Sequence, residues 1–189
     1  MTPHLRGQRI ALFVEEGFED LEFWVTLMRL REEGAEVRVV GTEAGLKFRG
    51  KNGLSATSET AASLVSASDF DVVVVPGGWA PDKLRRYEAV TRIVKDAYGQ
   101  QKIVGMICHA GLVGISAGIV RGHRATGSKG IKDDLINAGA TWVDEPAFRD
   151  GNIVWGRVVE DIPDFCRELV AAAAERAGAG AQSLSVQVR

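Results

Sequence analysis

Apolar residues recur along this chain with two alternating periods. Residues 8–14, QRIALFV, form a short apolar run that predicts a buried strand. After the acidic stretch EEGFED come Leu21, Trp24, Val25 and Met28, spaced i, i+3, i+4, i+7, which predicts a helix burying that face and stopped by Gly34. A second strand follows over residues 35–41, AEVRVVG, and the glycine-punctuated KFRGKNGLSAT predicts a hairpin excursion. The segment TAASLVSAS predicts a short helix. Residues 71–78, DVVVVPGG, carry consecutive valines without alternation, the pattern of a strand covered on both faces as parallel sheets require. A helix over 87–100 places Val90, Ile93, Val94 and Ala97 on one stripe, and IVGMI, residues 103–107, is the next buried strand. GLVGISAG and IKDDLINAG predict two short helices, the second closed by Gly139, while TWVDE, AFRDG and NIVWGRV predict short strands. A last helix over 161–176 turns Ile162, Phe165, Leu169, Ala172 and Ala173 inward.

Strands and helices alternate with short joints, so the expected fold class is α/β, a sandwich with a mainly parallel central sheet and a small hairpin excursion. Sites in such sheets gather at the carboxyl ends of the strands, where DVVVVPGG and IVGMICHA both end. The 189 residues suit a single domain with its core over about 8–176. Residues 177–189, rich in small side chains, fit a flexible tail or an arm on a partner subunit.

Composition narrows the function classes. Hydrophobic residues make up 46% and charged residues 25%, as in ordinary globular proteins, and a formal charge of −2 gives no electrostatic pull on nucleic acid or acidic lipid. No apolar stretch is long enough to span a bilayer, and the opening residues turn acidic too soon for a signal peptide, so the expected compartment is the cytoplasm. Cys108 and Cys166 lie in different segments, and reduced thiols are expected there.

Cys108 is the residue that changes the picture. It ends a buried strand just before a helix, where the first-turn N–H groups and the helix dipole would lower a thiol pKa and expose a nucleophilic thiolate. His109 follows it, and Ala110 and Gly111 leave room for backbone N–H groups to approach a substrate oxygen. The competing reading is that Cys108 is a small buried hydrophobe, which is the reading adopted for Cys166 inside the last helix. Gly77 and Gly78, at the end of the valine strand, suggest backbone brought close to something, although PGGWAP is not a phosphate loop. Glu19 lies at the same sheet edge, where it either partners the sulfur or caps the first helix; Glu15, Glu16, Asp20 and Glu22 read as ordinary first-turn acids. Asp82 of APDK either caps a helix start or serves a site. His4 is expected in a frayed N-terminus and His123 on a solvated turn, and no Cys/His cluster has metal spacing.

In chain order, GFEDLE, RLREEGAEV, FDVVVVPGGWAPDKLR, ICHAG, ISAGIVRGHRAT, GIKDDLINAGATWVDE and DGNIVWGR resemble the PfpI branch of the ThiJ/PfpI superfamily, over about residues 8–174. The resemblance implies a flavodoxin-like fold and a nucleophilic cysteine, Cys108, in a strained strand-to-helix elbow. It implies that Glu19 is the glutamate contacting the cysteine, His109 the acid–base residue, and Gly78 and His109 the N–H donors of an oxyanion hole. It also implies a homo-oligomer, a dimer or hexamer, in which Asp82 reaches the histidine of a neighbouring subunit. The implied activity is cofactor-free and metal-free: conversion of small reactive carbonyls, removal of their adducts, or peptide hydrolysis. Small electrophiles are the expected substrates, since a cramped elbow admits them more readily than polypeptide. The rival expectation is a redox or stress sensor whose Cys108 is oxidised to sulfenic or sulfinic acid. The chain departs from the family pattern at Trp79, at Ala110-Gly111 and at Gly127-Ser128-Lys129, all of which bear on pocket shape.

Overall fold

The computed structural model describes residues 4–186, with side chains to residue 178. In chain order it runs β1 (Arg9–Phe13), α1 (Asp20–Glu32), β2 (Glu36–Gly41), a hairpin of β3 (Lys47–Arg49) and β4 (Ser55–Thr57), then β5 (Thr60–Ala61) and β6 (Val72–Val75). There follow α2 (Ala80–Leu84), α3 (Glu88–Gly99), β7 (Ile103–Ile107), α4 (Gly111–Ala117), β8 (Arg124–Ala125), α5 (Lys132–Asn137), β9 (Thr141–Trp142), β10 (Ala147–Asp150), β11 (Ile153–Gly156) and α6 (Ile162–Val186). The central sheet has the order β10-β11-β7-β6-β1-β2-β5, and every pair is parallel except β10 with β11.

Consecutive residues of β7 show how the sheet is covered. Gly105 faces Leu169 and Phe165 of α6, whereas the sulfur of Met106 lies against Gly114 of α4. Neighbours on a strand point to opposite faces, so α6 and α4 lie on opposite sides and the molecule has three layers. All four valines of β6 are buried, which is why that run lacks alternation. The hairpin, the α3 stripe and the inward residues of α6 stand where the pattern put them.

Several expectations fail, each for a physical reason. Leu21, Val25 and Met28 are exposed by 49%, 41% and 63%, and α1 instead buries Phe23, Leu27 and Leu30 along with Glu22 and Thr26. The segment LEFWVTLMRL is apolar nearly all round, so it offers two stripes, and packing against the sheet and α6 chose the other one. TAASLVSAS forms the two-residue edge strand β5 and two single 3-10 turns instead of one helix. The TWVDE strand shrinks to β9, which pairs with β8 outside the central sheet. The last helix does not stop at residue 176 but continues to Val186, so the part of the expected tail that is described is helical; residues 187–189 lie outside the described residues. His4 is tied down, its backbone N–H and Nδ1 both reaching Glu33 Oε2. His123 is half-buried, bridging Tyr98 Oη at 2.8 Å and Asp150 Oδ2 at 3.1 Å.

Candidate active site

β7 ends at Ile107, and the chain turns at once through Cys108–Ala110 into α4. Cys108 has φ of 61°, a left-handed conformation that costs a residue with a side chain about 1–2 kcal/mol. The bend is held at its carbonyl: Ser128 N–H donates to Cys108 O at 3.1 Å, and Gly127 sits so close that a Cβ there would lie 2.5 Å from that oxygen. Residues adjacent in the T-G-S-K departure therefore support the elbow.

The opposing wall is the turn after β6. Gly78 has φ of 79°, and a Cβ on it would stand 2.4 Å from the Glu19 backbone nitrogen; one on Gly77 would stand 2.7 Å from Cys108 Cβ and 2.6 Å from Glu22 Oε2. Both positions thus require glycine, as the sequence suggested. The N–H groups of Gly78 and His109 face the Cys108 sulfur, and the His109 ring places Nδ1 3.3 Å from it.

The third wall is the start of α1, and here the structure corrects the role that the resemblance implied for Glu19 and the first-turn reading of Glu22. Glu19 does not partner the sulfur: it is the N-cap of α1, its Oε2 accepting from Glu22 N–H at 2.8 Å and its Oε1 from Asn52 Nδ2 at 3.0 Å. The carboxyl beside Cys108 is Glu22, fully buried, with Oε2 accepting the Gly77 N–H at 2.7 Å and Oε1 left without a hydrogen-bond partner among the described residues. Glu19 is committed as the cap to the N–H groups of its own helix, and Glu22, three residues on, reaches across to Gly77 instead of back to the cap backbone.

Electrostatics correct a second expectation. Burial, then the charge and contact of Glu22, push the Cys108 thiol up to about 12, outweighing the Gly78 and His109 N–H groups that pull it down. Burial likewise raises the Glu22 carboxyl to about 7, against the pull of the Gly77 N–H. The two groups form a coupled pair in which the proton rests on sulfur and the Glu22 carboxyl beside it is placed to receive that proton only as the sulfur reacts. Burial, and then the Lys51 charge, lower the pKa of His109 and favour its neutral imidazole.

One candidate stays apart from this centre among the described residues. Asp82, in the first turn of α2, is exposed and pairs with Arg86. Trp79 lies against Gly17 and is 67% exposed.

A three-layer α/β sandwich presenting a strained cysteine elbow between a glycine pair and a buried glutamate defines a class of cysteine-centred proteins. The chain belongs to the DJ-1/PfpI family, whose profile matches residues 8–172, and its fold is the flavodoxin-like α/β fold of that family. A deglycase of Pyrococcus abyssi is 41% identical over 162 residues, covering 86% of this chain and 97% of that one. YraA of Bacillus subtilis, named as a candidate cysteine protease, is 37% identical over 162 residues, covering 86% and 96%. Among solved structures, a two-domain protein from Anabaena variabilis with DJ-1/ThiJ/PfpI-like and ferritin-like domains superposes with a TM-score of 0.85 at 38% identity. The match covers 90% of this chain and 48% of that longer one.

Proposed function

We propose that this protein is a cysteine-dependent enzyme acting on small reactive carbonyl compounds or their adducts. The observation that carries the reading is the Cys108 thiol, held at a left-handed bend between two backbone N–H groups and a buried carboxyl. The deglycase name of the P. abyssi relative supports it.

Sulfur adds to the aldehyde carbon as its proton passes to Glu22, and the carbonyl oxygen, gaining negative charge, meets the Gly78 and His109 N–H groups. His109, neutral and beside the sulfur, takes up the proton held by Glu22 and passes one on to that oxygen, and relays protons afterwards. With a 2-oxoaldehyde, removal of the proton on the attacked carbon and its return to the neighbouring carbon turn the hemithioacetal into a thioester. Water then releases a 2-hydroxy acid and restores the thiol. One water is consumed and no oxidant, reductant or cofactor is required. In this reading the protein works as a homo-oligomer, a dimer or hexamer, in which Asp82 of one subunit orients His109 of its neighbour. Its two free cysteines suit a reducing compartment such as the cytoplasm, and no helix among the described residues is long and apolar enough to cross a membrane.

The test is turnover of methylglyoxal and of a fluorogenic peptide by wild type and Cys108→Ala side by side. Methylglyoxal turnover that disappears in the variant is expected; no Cys108-dependent turnover of either substrate overturns the reading. A sensor reading is favoured by one observation, the buried Glu22 carboxyl in contact with Cys108, which would hydrogen-bond an oxidised sulfur. Selective gain of two oxygens at Cys108 under mild peroxide, with no aldehyde turnover, would decide for the sensor.

A further inference from the structure

Three titratable side chains outside the cysteine centre stand in a line. Asp150, the last residue of β10, accepts at Oδ2 from the Arg124 N–H at 2.7 Å and meets Nδ1 of His123 at 3.1 Å. Nε2 of His123 meets the hydroxyl of Tyr98, in the last turn of α3, at 2.8 Å. The backbone of His123 is pinned on both sides, its N–H donating to Val120 O and its carbonyl accepting from the Thr141 N–H. The Tyr98 carbonyl accepts from Asn152 Nδ2 at 3.0 Å, and the same amide donates to Lys102 O just before β7. The cluster therefore lies at the amino-terminal end of β7, whereas Cys108 follows its carboxyl end.

The order of these contacts fixes where the protons sit. An ionised carboxylate only accepts, so Nδ1 carries the hydrogen of the neutral ring and Nε2 is left to accept from the Tyr98 O–H. A hydroxyl within hydrogen-bond reach of a base, with that base oriented by a third group, is the arrangement that activates an oxygen nucleophile. The cluster is not sealed: Tyr98 is half-buried, and the side chains of His123 and Asp150 are 17% and 31% exposed. Tyr87, the other tyrosine of the chain, is 47% exposed, yet its hydroxyl meets no histidine among the described residues.

We propose that Tyr98, His123 and Asp150 form a second nucleophilic site, separate from Cys108, in which the Tyr98 hydroxyl takes the acyl group of small activated esters. Tyr98 Oη bonds to the acyl carbon as its proton passes to His123 Nε2. The bond from that carbon to the leaving oxygen breaks, and the proton follows onto the departing alcohol. The product is an O-acyl tyrosine, and no oxidant, reductant or cofactor takes part. The assignment does not depend on Cys108 being the nucleophile of the other site.

The two tyrosines lie on separate tryptic peptides, so peptide mass spectrometry can follow both while p-nitrophenyl acetate acetylates wild type, His123→Gln and Asp150→Asn. Exposure alone would make Tyr87 the faster. Tyr98 is instead expected to acetylate about 10-fold or more faster than Tyr87, and His123→Gln to remove that lead. Asp150→Asn can turn an N–H toward Nδ1 and so leave the ring hydrogen on Nε2, and it should lower the Tyr98 rate likewise. The wild-type ratio decides without any variant: a Tyr98 no faster than Tyr87 overturns the proposal. A lead that survives in His123→Gln overturns it as well.

Discussion

Glu22 shows how much a single side chain can carry and how poorly local sequence marks it. Its carboxyl is raised from 4.5 to about 7 chiefly by burial, so the folded state holds that proton more tightly than the unfolded chain does. Stability contributed by the protonated form is present below pH 4.5 and is lost as pH rises through 7, by on the order of 3 kcal/mol at full extent. Glu22→Gln, which cannot ionise, should therefore gain stability relative to wild type across that window, measured by urea denaturation at several pH values. It should also lose about 100-fold or more in turnover, since the base beside the thiol is gone. Parallel stability curves for the two proteins would show that this carboxyl has the same pKa in the folded and the unfolded chain. Cys108 was legible because a strand run ending in Cys-His at a sheet edge is unusual. Glu22 was not, because it sits in an acidic stretch where Glu15, Glu16, Glu19 and Asp20 look equally suited and only the direction of each side chain separates them.

Helix α1 illustrates the same ambiguity one level up. Its existence, length and termination at Gly34 follow from the sequence, but its rotation does not. The buried row Phe23, Leu27, Leu30 and the exposed row Leu21, Val25, Met28 are equally apolar, and the tertiary contact decides between them. The expected consequence is a large asymmetry between adjacent residues. Leu27→Ala should cost about 2–4 kcal/mol, whereas Met28→Ala should stay within about 0.5 kcal/mol of wild type in chemical denaturation. Comparable losses at both positions would mean that the Met28 face is covered in solution. The hairpin offers a contrast: its glycines announce the turn, yet nothing local announces that Asp20 receives it, because that contact joins residues more than 30 positions apart.

At the scale of the whole molecule, one expected participant remains outside the centre. Asp82 pairs with Arg86 on its own surface and, among the described residues, makes no hydrogen bond or ion pair with a group of the Cys108 site. If a neighbouring subunit supplies it, Asp82→Ala should lower turnover about 10-fold or more while sedimentation shows the oligomer intact, and dilution to monomer should reduce activity similarly. Activity that survives in a monomer would refute a shared site. The sequence by itself determined the layered α/β architecture, the buried strands and the elbow cysteine, since these follow from periodicity and glycine placement over short windows. Tertiary structure alone decided which face of α1 is buried, which carboxyl meets the thiol, and that this thiol is raised and not lowered in pKa. Those outcomes depend on distance and dehydration between segments far apart in the chain, and neither is a property of any stretch of residues taken alone.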